Sequence, residues 1–188
     1  VDIIFVLLCF VAILQFTVYP VEPDTTLWFE LYGYTGNLDP GVLYSFFTHS
    51  SVYHFVSNLY GLLVYRLFFT HLHNSELNDI IELLVVTLCI GIGTNLLVFG
   101  VSTLYTTQFI PVLGFSGVLF GYFGIQIVSF IREPIASVFS IQQYAILFSA
   151  LCIVFGPVLT GNYDLSVMGH FTGFSLGVLY AIYSTLSN

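Results

Sequence analysis

Ser116, in Gly114-Phe115-Ser116-Gly117, and His170, in Gly169-His170-Phe171-Thr172-Gly173, stand in stretches otherwise apolar enough to cross a bilayer. A serine hydroxyl is a weak nucleophile until a base takes its proton, and histidine is the side chain whose ordinary pKa suits that task near neutrality. Polar groups are costly in hydrocarbon and are kept there mainly where they act. His54 and Asn58, four residues apart and so on one helix face, form a second polar cluster in a third such stretch. A nucleophile, a base and two groups able to hydrogen-bond a developing oxyanion are the ingredients of acyl-transfer chemistry.

Those groups must be positioned by membrane-embedded helices. The chain has 188 residues, of which 57% are hydrophobic and only 6% charged. A soluble domain of this size cannot cover its surface with so little charge, so the composition predicts an all-α polytopic membrane protein. Six apolar stretches, at residues 1–19, 52–69, 80–100, 112–131, 141–160 and 166–186, come near the roughly 20 residues a spanning helix needs. Breakers separate them: Pro20 and Pro23, a polar run at 71–79, residues 102–111, Glu133-Pro134, and Gly161-Asn162-Tyr163-Asp164. The expected organisation is a single six-span unit over 1–188 with one long outer loop at 20–51.

Orientation follows from the arginines. Lysine is absent, and Arg66 and Arg132 close the second and fourth stretches, which end on the same side. Basic residues favour the cytoplasm, which places both chain ends inside and starts every even-numbered span outside. Counted inward at 1.5 Å per residue, His54, Asn58, Ser116 and His170 then share a layer on the order of 5–10 Å below the outer surface. Contact between Ser116 and His170 requires close helices. Gly117 and Gly121 on the fourth span, and Gly169, Gly173 and Gly177 on the sixth, supply small-xxx-small ridges for that approach. Ser116 and Phe120 share a face, as do His170, Gly173 and Gly177.

The remaining features have plainer readings. In the outer loop, Trp28, Phe29, Tyr32, Tyr34, Tyr44, Phe46 and Phe47 alternate with acidic residues, as in a segment lying at the membrane interface. Cys9, Cys89 and Cys152 fall in different spans without CxxC spacing and read as buried free thiols. His71 and His73 mimic a metal-binding HxH but read as solvated, and His49 as a local hydrogen-bonding residue. The net charge of −8 argues against nucleic-acid or anionic-lipid binding. The start at Val1, inside an apolar run with no Met or basic leader, looks trimmed rather than like a signal peptide.

With these residues in place, the chain resembles the rhomboid family of intramembrane serine proteases. Phe47-Thr48-His49-Ser50-Ser51-Val52-Tyr53-His54-Phe55-Val56-Ser57-Asn58 is similar to the family's second-span signature. Gly114-Phe115-Ser116-Gly117 resembles its GxSG nucleophile motif, and Gly169-His170-Phe171-Thr172-Gly173 its sixth-span base motif. The resemblance implies a prokaryotic-type six-helix core, without metal or cofactor, that cleaves single-span membrane proteins near the outer face. It implies Ser116 as nucleophile, His170 as base and then acid, and His54 and Asn58 as lining of the oxyanion hole. It further implies that Phe120 stacks on the catalytic imidazole, and that the fifth span with its following loop gates substrate entry. One departure is the missing Trp-Arg pair of the first loop, where Leu43-Tyr44 stands instead; it bears on how that loop is anchored.

Rival classes are less well supplied. A zinc protease needs a motif such as HExxH, which is absent, and an aspartyl enzyme needs two intramembrane aspartates, whereas Asp164 sits alone in a loop. A transporter usually shows paired intramembrane charges, and none are present. A non-catalytic relative that escorts membrane clients typically lacks the nucleophile or the base, and this chain keeps both.

Overall fold

The structure is a computed structural model that describes residues 2–18, 41–69, 77–105, 114–132, 140–161 and 164–186. All regular structure among them is helical. Helix α1 (Asp2–Ile13) runs into a π-helical turn at Leu14–Val18, and a short α2 (Gly41–Tyr44) closes in a 3₁₀ turn at Ser45–Phe47. There follow α3 (Val52–Phe69), α4 (Leu77–Tyr105), α5 (Ser116–Arg132), α6 (Ile141–Leu159) and α7 (Leu165–Leu186).

Several polar residues sit inside an otherwise apolar core, while large apolar side chains face outward. Gln15, His49, Asn58, Thr94, Asn95 and Gln126 are buried, while Tyr53, Leu104, Ile131, Ile141 and Leu159 leave at least 75% of their surface outside. Large apolar side chains facing outward at such density mark a surface made for lipid or protein contact. Among the described residues, Ile80–Val101 within α4 and Ile141–Leu159 are long and apolar enough to cross a membrane. Hydropathy by itself therefore supports two spans, against the six expected. Helices α3 and α7 have sufficient length, at 18 and 22 residues, but His54, Asn58, His170 and several hydroxyls dilute their apolar character. The apolar runs Ile3–Thr17 and Ser116–Arg132 fall short in length.

Two boundaries differ from the sequence reading. Helix α4 continues to Tyr105, through Ser102 where a break was expected, because Ser and Thr are tolerated inside a helix. Helix α5 begins at Ser116, later than residue 112, because Gly114 has φ +103 and cannot be part of a right-handed turn. The cysteines are free but not buried: Cys9 is half-buried and Cys89 and Cys152 are exposed. An apolar segment in lipid has no reason to turn its thiols inward. The loop residues Trp28, Phe29, Tyr32 and Tyr34, and His71 and His73, lie outside the described residues.

The core gathers aromatic rings from α3 and α5, with Tyr65, Phe69, Tyr122 and Phe123 packed between 5.2 and 6.0 Å apart. Its polar tips are matched: Gln126 Nε2 donates to Tyr65 Oη at 2.9 Å, and the Thr87 and Tyr122 hydroxyls bond each other. Helix α6 is fastened at its start, where Ser140 and Gln143 form a reciprocal capping box and Gln143 Nε2 also donates to the Phe68 carbonyl of α3.

The tightest junction is α5 against α7, the most extensively contacting helix pair. A Cβ added at Gly173 would lie 1.9 Å from the Gly117 carbonyl oxygen, and one at Gly177 would lie 1.9 Å from that of Gly121. One at Gly124 would come within 2.3 Å of the Phe174 carbonyl oxygen. In each case the obstacle is backbone, which cannot rotate away. Gly169 differs, since a Cβ there meets nothing within 4 Å; its part in the junction is its carbonyl, 3.4 Å from the Cβ position of Gly117.

This asymmetry yields a paired test. Gly173→Ala must push α5 and α7 apart and should destabilise the bundle by about 1–3 kcal/mol, as overpacking does. Gly169→Ala should be neutral or stabilise by about 0.5–1 kcal/mol through helix propensity. Thermal unfolding of both variants in detergent decides the matter, and equal midpoints would refute the interlock.

Candidate active site

Helix α5 opens on Ser116, with the Leu119 N–H to Phe115 carbonyl bond of 3.0 Å closing its first turn. The N–H groups of Ser116, Gly117 and Val118 therefore belong to the unsatisfied start of the helix, where the macrodipole is positive. Gly114 turns the chain into that start, and its N–H donates to the Ser45 carbonyl at 3.0 Å. Its glycine is required twice over, by the positive φ and by space. A Cβ there would lie 2.5 Å from His54 Cε1 and 2.8 Å from His54 Nε2. The imidazole edge of His54 thus faces the turn that carries Ser116.

His54 sits in the first turn of α3, half-buried, with Nδ1 3.1 Å from the Ser50 hydroxyl and its N–H bonded to the Ser51 hydroxyl at 3.1 Å. Asn58, one turn further on, is buried, and its Nδ2 has no hydrogen-bond partner. On the other side, His170 lies in the second turn of α7, half-buried, with its ring 4.4 Å from that of Phe120 and tilted by 38°. Phe120 is one turn beyond Ser116 on α5, so the residue that contacts the imidazole shares a helix face with the serine.

The interlocked backbones bring the two halves together. Gly117 meets α7 at Gly173, and the Gly169 carbonyl oxygen lies 3.4 Å from the Cβ position of Gly117; Ser116 and His170 are the chain neighbours of Gly117 and Gly169. No hydrogen bond joins the Ser116 hydroxyl to the His170 ring. Asp164 caps α7, with Oδ1 accepting from the Val167 N–H at 2.8 Å, and makes no hydrogen bond to the His170 ring. The sequence reading of His49 needs correction. Its ring is fully buried, both ring nitrogens lack hydrogen-bond partners, and only its main chain is bonded, to Gln15. Burial, reinforced by the neighbouring His54, pushes the His49 pKa down to about 3, so this ring is neutral.

Sequence reasoning passed over Gln15, Ser50 and Thr94. The Thr94 methyl packs on Gly117, 2.8 Å from the Cβ position, and its buried hydroxyl is unpartnered. A Gln or Thr isolated in an apolar stretch was a legible signal, by the same cost argument that singled out Asn58.

Chemically, the arrangement offers a hydroxyl at a helix start, an imidazole across a backbone-to-backbone contact, and donors on a third helix. A family model described as Rhomboid domain matches residues 41–186, a segment containing all of these groups. Comparison with curated proteins found no match. With the all-helical fold, the outward apolar surface and a match over most of its length, the chain belongs to the rhomboid family, membrane proteins whose members are generally intramembrane proteases.

Proposed function

We propose that this protein is an intramembrane serine endopeptidase that hydrolyses peptide bonds in or near the transmembrane segments of single-span membrane proteins. The observation that carries the reading is the α5–α7 interlock, with Ser116 and His170 the chain neighbours of Gly117 and Gly169. On this reading the six apolar stretches all span, both chain ends are cytoplasmic, and the site opens toward the outer face of a prokaryotic-type cell membrane.

The steps follow from the groups present. His170 takes the Ser116 proton as the oxygen attacks the substrate carbonyl and gives it to the amine as the C–N bond breaks; it then takes a proton from a water that attacks the acyl ester and returns it to the Ser116 oxygen as the acid leaves. Phe120 holds the imidazole plane, so a Ser–His dyad operates without a carboxylate. The negative oxygen of the tetrahedral intermediate meets the Ser116 N–H, the Asn58 amide and His54. If the Ser50 hydroxyl donates to Nδ1 of His54, the ring proton resides on Nε2, the edge facing Gly114. A substrate helix hides its carbonyls in hydrogen bonds, so the scissile region must unwind, and helix-weakening residues there favour cleavage.

One observation favours a second reading, a non-catalytic rhomboid-like protein that binds membrane clients: the missing Ser116–His170 hydrogen bond. Catalytic hydrogen bonds often tighten only in the substrate complex, so the proteolytic reading stands first. A fluorophosphonate probe separates the two, because only an activated serine is phosphonylated. Labelling of folded wild type, absent in Ser116→Ala, supports the protease; an unlabelled wild type supports the binder.

Ser116→Ala and His170→Ala should each abolish cleavage of a single-span substrate by detergent-purified protein while preserving its circular dichroism. Undiminished turnover in either variant removes that residue from its role. Asn58→Ala should remain active but slower by about 10²–10³ in kcat, the usual effect of losing one oxyanion donor; an unchanged kcat would place the amide outside the oxyanion site.

A further inference from the structure

Gln15 is 1% exposed in the π-helical turn that ends α1, surrounded in sequence by apolar residues. Its Nε2 donates to the His49 carbonyl at 2.7 Å, and its Oε1 accepts from the His49 N–H at 3.0 Å. Both main-chain polar groups of one residue are thus held by both ends of one amide, across 34 positions of sequence. Two such bonds fix the position and direction of His49, because buried main-chain groups left unpaired are costly.

The His49 side chain does not spend that fixation on bonds of its own. Its ring stands edge-on to His54, centroids 5.1 Å apart at 77°, and edge-on to Phe55 at 5.4 Å. His54 in turn faces Gly114 at the entrance to the serine turn. The order of contacts is Gln15, His49, His54, Gly114, with Ser116 two residues on. Gln15 lies outside the segment 41–186 that matches the family model.

We propose that Gln15 is a positioning residue for the oxyanion site, setting the His54 ring through the main chain of His49. This rests on the proteolytic reading above. It assigns the first helix a part in the chemistry rather than in packing alone. A helix carrying no group of the reaction itself then governs kcat by orienting one that does.

Gln15→Met keeps length and apolar fit while removing both bonds. The expected result is a kcat lower by roughly ten- to a hundredfold, the scale of a donor displaced by about 1 Å, with KM changed less than about twofold. In a His54→Ala background the same substitution should have no further effect on kcat, since the two act in series. Equal losses in both backgrounds would mean general loosening and would overturn the proposal. An independent readout is the ring ¹⁵N resonances of histidine-labelled protein: Gln15→Met should shift those of His54, and unmoved His54 resonances overturn the link whatever the kinetics. Wild type that cleaves nothing while Gln15→Met still shifts His54 would sink the protease reading and leave the mechanical link standing.

Discussion

The approach of the α5 and α7 backbones at Gly117–Gly173 and Gly121–Gly177 is the constraint on which the site depends. In lipid there is no hydrophobic gain from burying one helix against another, so association rests on close van der Waals packing and polar contacts. Glycine pairs permit the shortest approach, and here even one methyl group would overlap a carbonyl oxygen at 1.9 Å. Ser116 precedes Gly117 of that seam, and His170 follows Gly169, whose carbonyl oxygen lies 3.4 Å from the Cβ position of Gly117. On the proposed reading, backbone packing rather than the reach of flexible side chains brings the two groups near each other. Such rigidity suits a reaction that is sensitive to ångström-scale placement.

Around this seam the interior polar groups fall into two sorts. Gln15 with the His49 main chain, Asn95 with the Ser45 hydroxyl and Gln126 with Tyr65 form bonded pairs that tie one element to another. The His49 ring, Asn58 Nδ2 and Thr94 Oγ1 have no partners, and neither has Oε1 of Gln126, further along α5. The first three belong to elements that converge on the 114–117 turn, through His54 from α3 and Thr94 from α4. An unsatisfied buried donor is costly, and its cost is offset when an incoming acceptor arrives.

Much of this was legible before any coordinates. Polar residues in apolar stretches singled out Ser116, His170, His54 and Asn58 as candidates, and the four-residue glycine spacing pointed to the close approach of α5 and α7. The seam was overdrawn at Gly169, which sits on the same ridge as Gly173 but has open space at its Cβ. Spacing reports a shared face; it does not report how far a neighbouring helix extends along it. The cysteines were misjudged for a related reason, because apolar surroundings mean the core in water but both core and periphery in lipid. The Gln15–His49 clamp was out of reach, since nothing in periodicity pairs residues 34 positions apart. The contact of Phe120 with His170 was available only through the family resemblance.

That contact also explains why a dyad is the economical solution on the proposed reading. A serine protease in water commonly orients its histidine with a buried carboxylate, but a carboxylate inside a membrane helix bundle carries a large desolvation penalty unless it is paired. An aromatic ring at 4.4 Å restrains the imidazole plane through dispersion and its quadrupole without introducing charge. The nearest acid along α7, Asp164, is already committed to the helix start. Neutral orientation removes the charge–charge stabilisation that a carboxylate gives the imidazolium. On the proposed reading the rate then comes from placement, which the glycine seam constrains, and from the oxyanion donors.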